Sequence, residues 1–191
     1  MSPVGLVSVG VEPPRPVGHL ESVKALTGSG RELGSDQAQA AFERLYRDSY
    51  GGLMAIAMAT VRERTLAEDM VHDAYAQLWR HWASVTYPLA WVRRAVVTNC
   101  LDTLRTQRRR DAILRRQPRP TESVTDSSDS AFLDLLVGLN DRQRVALTLK
   151  YVEDLSEADI AAALGCRPGT VKSTLHRAIA ALRTNLEGER S

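Results

Sequence analysis

Residues 156–177 read SEADIAAALGCRPGTVKSTLHR, and the organisation of the chain follows from how that stretch must fold. Ser156 with Asp159 three residues on matches a capping box, which predicts a short helix over Glu157–Leu164. Gly165-Cys166-Arg167 is the turn: Gly165 takes a positive φ without steric cost. Pro168 is preorganised for the first turn of a second helix, which continues to about Leu186. Ile160 and Leu164 face the core, Ala161 is small where the two helices must approach, and Val171 anchors the second helix. That packing leaves Thr170, Lys172, Ser173, His176 and Arg177 exposed near the start of the second helix. Two helices joined by a glycine turn, with a basic polar face on the second, make a helix-turn-helix of the kind that enters a major groove. An ordinary helical hairpin explains Ile160, Leu164 and Val171 but not that face.

Upstream of the motif the helical period continues. Asn140 is an N-cap candidate for a helix carrying Val145, Leu147 and Leu149, preceded by the apolar stretch Phe132–Leu139. Residues 117–130, QPRPTESVTDSSDS, have linker composition. Before them, Pro88 suits the first turn of a helix through Trp91, Val92, Ala95, Val96, Asn99 and Leu104 into Arg108-Arg109-Arg110. Thr65-x-x-Glu68 reads as a capping box for an earlier helix. Its apolar stripe is Val71, Ala74, Tyr75, Leu78 and Trp82, and its other face carries Glu68, Asp69, Asp73 and Gln77. From about Asp36, Phe42, Leu45, Tyr46, Leu53 and Ala57 recur at helical steps, with Gly51-Gly52 an expected interruption. Residues 1–35, with Pro13, Pro14, Pro16 and six glycines, read as a disordered tail. The expected fold class is all-α: two small helical domains (36–116 and 131–187) joined by the flexible linker 117–130, the C-terminal one carrying the helix-turn-helix.

Composition bounds the function. With 191 residues, 43% hydrophobic and 25% charged, the chain is an ordinary globular protein rather than a fibrous or wholly disordered one. No stretch approaches the roughly 18 apolar residues of a membrane helix. The run Val4–Val11 is short, glycine-broken and lacks a preceding Lys or Arg, so no membrane insertion and a cytoplasmic location are expected. Cys100 and Cys166 stand far apart, without the spacing of a zinc site or a disulfide framework. HExxH, GxSxG, GxxxxGK[ST] and GxGxxG are absent, so neither cofactor, metal nor catalytic residue is expected.

The net charge of +2 conceals segregation. Residues 91–119 carry nine arginines against Asp102 and Asp111, and 166–191 are net +3, whereas 120–165 between them are net −6. Two basic segments flanking an acidic one point to two contacts with a polyanion. Arginine outnumbers lysine (Lys24, Lys150 and Lys172 are the only lysines), which suits bidentate contacts to phosphate and guanine, although a GC-rich genome also favours arginine.

Three stretches carry a family resemblance. Ile160-Ala161, Leu164-Gly165, Gly169 to Ser173 and His176-Arg177-Ala178 resemble the −35-reading motif of extracytoplasmic-function (ECF) sigma factors of bacterial RNA polymerase. Ala67–Arg80 resembles that family's core-polymerase-binding helix, and Trp91–Arg94, Asn99, Asp102–Arg105 and Arg108–Arg110 its −10-reading helix. The resemblance spans about 36–186 and implies sigma regions 2 and 4. It implies core polymerase (β and β′ subunits) and promoter DNA as partners, an anti-sigma protein as a further one, and no enzymatic activity. It implies core binding by Asp69, Asp73, Gln77, Trp79 and Arg80. It implies −10 contacts by Arg93, Arg94, Asn99, Arg105, Arg108, Arg109 and Arg110. It implies −35 contacts by Arg167, Thr170, Lys172, Ser173, His176 and Arg177. The linker would thread towards the RNA-exit path. His72 stands where the family often has Gln, and Thr174 where it often has Arg, which removes one contact to the −35 element. Core packing is the competing reading for Trp79 and the stronger one for Trp91, a structural role competes evenly for Asn99, and Cys166 reads as a small buried hydrophobe.

Two other classes compete. A dimeric repressor would use the same helix-turn-helix on a palindrome, but it leaves the acidic and arginine-rich helices without a role. A metal hydrolase on Asp69, His72 and Asp73 lacks a second ligand helix.

Overall fold

A computed structural model describes residues 35–114 and 136–188. Six α-helices lie among the described residues: α1 (Ser35–Val61), α2 (Arg64–Arg80), α3 (Pro88–Leu114), α4 (Asp141–Tyr151), α5 (Glu157–Leu164) and α6 (Pro168–Gly188). A single 3-10 turn, Trp82–Ser84, joins α2 to the approach of α3. The described residues contain no strand, and the all-α reading stands. The expected tail 1–35 lies outside the described residues except for Ser35, which opens α1, and so do the linker 117–130 and the start of the apolar stretch at Phe132.

The first three helices pack on one another through the faces that the period assigned to them. Leu53, Ile56 and Ala57 of α1, Val71, Ala74 and Leu78 of α2, and Val92, Ala95 and Val96 of α3 are fully buried together. Trp91 is buried beside them, so its core reading holds. Burial at these nine positions is worth roughly 1–3 kcal/mol each.

Two local expectations fail. Thr65 and Glu68 form no capping box: α2 begins at Arg64 after an extended Glu63 whose side chain makes no cap bond. Glu68 instead pairs with Arg64 at 3.0 Å, one turn back on the same helix. The chain turns at Arg62, which holds a left-handed φ of 59° and donates to the Met58 carbonyl, so helix entry is fixed by the end of α1. Gly51-Gly52 does not interrupt α1, which runs through both. Packing on two neighbouring helices outweighs the roughly 1 kcal/mol per glycine of lost propensity. Gly52 has a different job: a Cβ there would collide with the Glu153 carboxylate.

The C-terminal helices follow the sequence closely. Asn140 caps α4 in a full capping box, accepting from the Gln143 N–H while the Gln143 side chain accepts from the Asn140 N–H. The Ser156 hydroxyl oxygen accepts from the Asp159 N–H at the start of α5, and its proton goes to the Asp159 carboxylate at 2.6 Å. Gly165 ends α5 with φ 61°. The Cys166 N–H then reaches back to the Ala161 carbonyl at 2.9 Å, which closes the turn. Ile160, Ala161, Leu164, Val171, Leu175 and Ala178 form the buried seam between α5 and α6. At the far end, Asn185 donates to the Val137 carbonyl at 2.9 Å and ties α6 to the turn before α4.

The two sets of helices do not stand apart. α4 packs along α1, and α5 packs on α3, so one buried core runs through both.

Candidate nucleic-acid interface

The basic face of α6 is the most open of the candidate surfaces. Arg167, Thr170, Lys172, Ser173, His176 and Arg177 are all exposed, while Val171, Leu175 and Ala178 turn inward at helical spacing. The Ser173 hydroxyl donates to the Thr170 carbonyl at 3.0 Å, as does that of Thr174 at 2.7 Å. Arg177 Nε donates to the Ser173 carbonyl at 3.1 Å, which lays the guanidinium along the helix. The first turn of α6 holds no acidic residue, so its N–H groups and dipole face an anion without internal competition.

The arginines of α3 are not equally available. Arg109 and Arg110 are exposed. Arg105 is exposed too, with a surface pair to Asp102 at 2.7 Å that water largely screens. Arg94 and Asn99 are half-buried. Arg93 is only 12% exposed and gives Nη2 and Nε to one Glu153 oxygen at 2.9 and 3.3 Å. Arg108 grips Asp141 with both terminal nitrogens, at 2.6 and 2.8 Å. Sequence reasoning missed Glu153 and Asp141 as the partners of these arginines. For Glu153 the signal was Gly52 inside a helix, which marks a close approach as readily as a bend.

On α2, Asp69, Asp73 and Arg80 are exposed on one face at i, i+4 and i+11, with Gln77 half-buried at its edge. Trp79 is 46% exposed, against the core reading. Its ring meets Phe42 edge-on at 4.9 Å, and Phe42 meets Trp82 at 5.4 Å, so an aromatic face spans α1 and the end of α2. Phe42 and Tyr46, members of the helical repeat of α1, are partly buried against the core and line this face. Tyr46, which the same face carries, shares a 3.3 Å hydrogen bond with His72 Nε2, and the Tyr50 ring stacks on the imidazole. His72 is thereby turned towards α1.

Two further titratable groups, Tyr75 and Cys100, are buried in the core. Burial pushes the Tyr75 hydroxyl up to about 12, against the opposing effect of its hydrogen bond with Ser49. Burial alone pushes the Cys100 thiol up to about 12, so it holds its proton near neutrality. Cys166 is half-buried against the core. Among the described residues, no three His, Cys, Asp or Glu side chains gather in a metal-binding group.

Comparison with known proteins bears on both halves of the chain. Residues 45–110 match the family model of sigma-70 region 2, and residues 129–182 that of sigma-70 region 4. An RNA polymerase sigma-E factor of Streptomyces antibioticus is 31% identical over 152 residues, covering 76% of this chain and 84% of the relative. The ECF RNA polymerase sigma factor SigL of Mycobacterium tuberculosis is 30% identical over 169 residues, covering 82% of this chain and 96% of the relative. In fold, the chain is similar to the sigma factor RpoE of Bartonella quintana, solved in complex with the anti-sigma factor NepR. The TM-score is 0.63 at 24% identity, covering 76% of this chain and 96% of that one.

Proposed function

The chain belongs to the extracytoplasmic-function sigma factors of bacterial RNA polymerase, subunits that act in transcription initiation and are not themselves enzymes, and on that premise we propose how its surfaces share the task. Residues 36–116 act as region 2 and 131–187 as region 4, with 117–130 as the connection between them. The acidic face of α2 docks on a basic helix of core polymerase through Asp69, Asp73, Gln77 and Arg80. Trp79 adds an apolar anchor at its edge, as exposed aromatics do in protein interfaces. Arg94, Asn99, Arg105, Arg109 and Arg110 of α3 meet the −10 region as it opens, joined by Arg93 and Arg108 once these are released from their carboxylates. The face of α6 reads the −35 duplex: Lys172, Ser173, His176 and Arg177 approach base edges and phosphates, and Arg167 and Thr170 flank the helix N-terminus. An anti-sigma protein that covers the aromatic face of Phe42, Trp79 and Trp82 is the natural restraint on such a subunit, and cytoplasmic action follows from the partners.

The observation that carries this reading is the exposed basic row of α6 on a helix-turn-helix closed at Gly165, in one chain with an arginine-rich helix and an acidic one. Run-off transcription with sigma-free core polymerase on genomic fragments tests it. Specific transcripts that depend on this chain are expected. No transcript, and elution of the chain alone as a dimer, would overturn the reading in favour of a repressor. On a promoter so found, Arg177→Ala is expected to weaken binding and to reduce the slope of log affinity against log salt by about 1, the loss of one phosphate contact. An unchanged slope would remove Arg177 from the phosphate contacts.

A further inference from the structure

The exposed face of α6 ties up its own hydroxyl protons. Ser173 and Thr174 both donate to the Thr170 carbonyl, at 3.0 and 2.7 Å. Neither proton is left for a base or a phosphate. Ser173 then offers a groove only an acceptor oxygen. Thr174 offers a methyl as well, and the bond places it: with Oγ1 turned back onto the helix, the methyl is the branch at Cβ that projects from it. Thr174 is half-buried, on the shoulder between the inward Val171 and Leu175 and the exposed row. Helix residues step by about 100°, so Thr170, Thr174 and Arg177 lie within about 60° of one another on one flank. Arg177 gives its Nε to the Ser173 carbonyl, which leaves both terminal nitrogens for the groove. The flank thus presents a small apolar step, held by its own hydrogen bond, between the hydroxyl of Thr170 and the guanidinium of Arg177.

On the base edges of a major groove the apolar group is the 5-methyl of thymine. We infer that Thr174 is a specificity-determining residue of α6, which selects a T·A pair in the −35 element through contact between its methyl and the thymine 5-methyl. This rests on the assignment of α6 to the −35 duplex. An arginine at this position would bring N–H donors suited to guanine or phosphate. Threonine does not simply delete that contact. It replaces a donor that serves phosphates of any sequence with an apolar group that distinguishes one base from the others.

The test uses the chain bound to core polymerase, on a promoter recovered by the run-off experiment. Each thymine of the −35 element, on either strand, is replaced in turn by deoxyuridine, which removes the 5-methyl and nothing else. Fluorescence anisotropy gives the affinity. One replacement is expected to weaken wild-type binding about fourfold, the effect of one buried methyl. Thr174→Ser keeps the hydroxyl and its carbonyl bond but lacks the methyl. It is expected to bind the unmodified promoter about fourfold more weakly than wild type, and to be indifferent to deoxyuridine at that position. Thr184→Ser is the control, since Thr184 is exposed further along the same helix and makes the same kind of bond, to the Ala180 carbonyl at 3.2 Å. It is expected to keep the full deoxyuridine effect. Thr174→Arg is expected to lose that effect and to steepen the slope of log affinity against log salt by about 1. Deoxyuridine that changes nothing at any −35 position, or that weakens wild type and Thr174→Ser alike, would overturn the inference. Transversion of the whole −35 element separates it from the assignment beneath it. No loss of affinity would remove α6 from the −35 duplex altogether, whereas a loss combined with indifference to deoxyuridine removes only the methyl contact.

Discussion

Replacing Asp69 and Asp73 together by arginine is expected to abolish co-elution with sigma-free core polymerase while leaving the fold intact. Both side chains are exposed on α2, one turn apart, and neither contributes to the buried stripe of Val71, Ala74, Tyr75 and Leu78. Changes at such positions move stability by about 0.5 kcal/mol or less, and arginine is a better helix former than aspartate. At a charged interface the same change acts twice. It removes two attractions worth about 1.5 kcal/mol or more apiece, and it sets like charges against a basic partner. The minimum loss is therefore about 3 kcal/mol, more than a hundredfold in affinity. Size-exclusion chromatography with core checks it, and Asp48→Arg on the exposed side of α1 serves as control. Co-elution of the double variant at wild-type yield would move the docking surface off α2. Persistence of docking with loss only after Trp79→Ala would place it on the aromatic face instead.

What was legible in the sequence was what short-range physics decides. The turn at Gly165, the start at Pro168, the cap at Asn140 and the buried face of α3 each depend on residues within a turn or two, and each is in place. The failures share a cause as well. Thr65-x-x-Glu68 has the letters of a capping box, but the left-handed Arg62 sets the helix start two residues earlier than the box requires. Gly51-Gly52 has the letters of a break, but the reason for Gly52 lies about a hundred residues away in Glu153. Trp79 borders the apolar stripe by period, yet its ring stays 46% exposed beside Phe42 and Trp82. The pairing of Arg93 with Glu153, and of Arg108 with Asp141, leaves no periodic trace at all. Besides Gly52, only the opposed net charges of the two segments point to it, and in the sequence those point equally to an external polyanion. Long-range ion pairs and the surfaces they cover thus escape a reading built on helical period.

Ile160→Ala is expected to cost about 3 kcal/mol, within the range of about 2–5 for buried aliphatic truncations. Ile160 is fully buried at the seam where α5 meets α6, beside Ala161, Leu164 and Val171. The surroundings have little freedom to collapse into the gap. Ala161 and Ala163 are already small, and the turn at Gly165 fixes the angle at which α6 leaves. Helix α5 has eight residues, too few to persist without packing, so loosening its anchor loosens the whole motif. Urea denaturation followed by circular dichroism checks the figure, and a loss below about 1 kcal/mol would show that the seam repacks. The contrast with Arg177→Ala carries the functional meaning. Arg177 is exposed, and its only bond among the described residues is to a carbonyl of its own helix, so its loss should leave the urea midpoint in place and reduce promoter affinity. Ile160→Ala should lower both together, because it removes the scaffold that aims the basic face rather than a member of it.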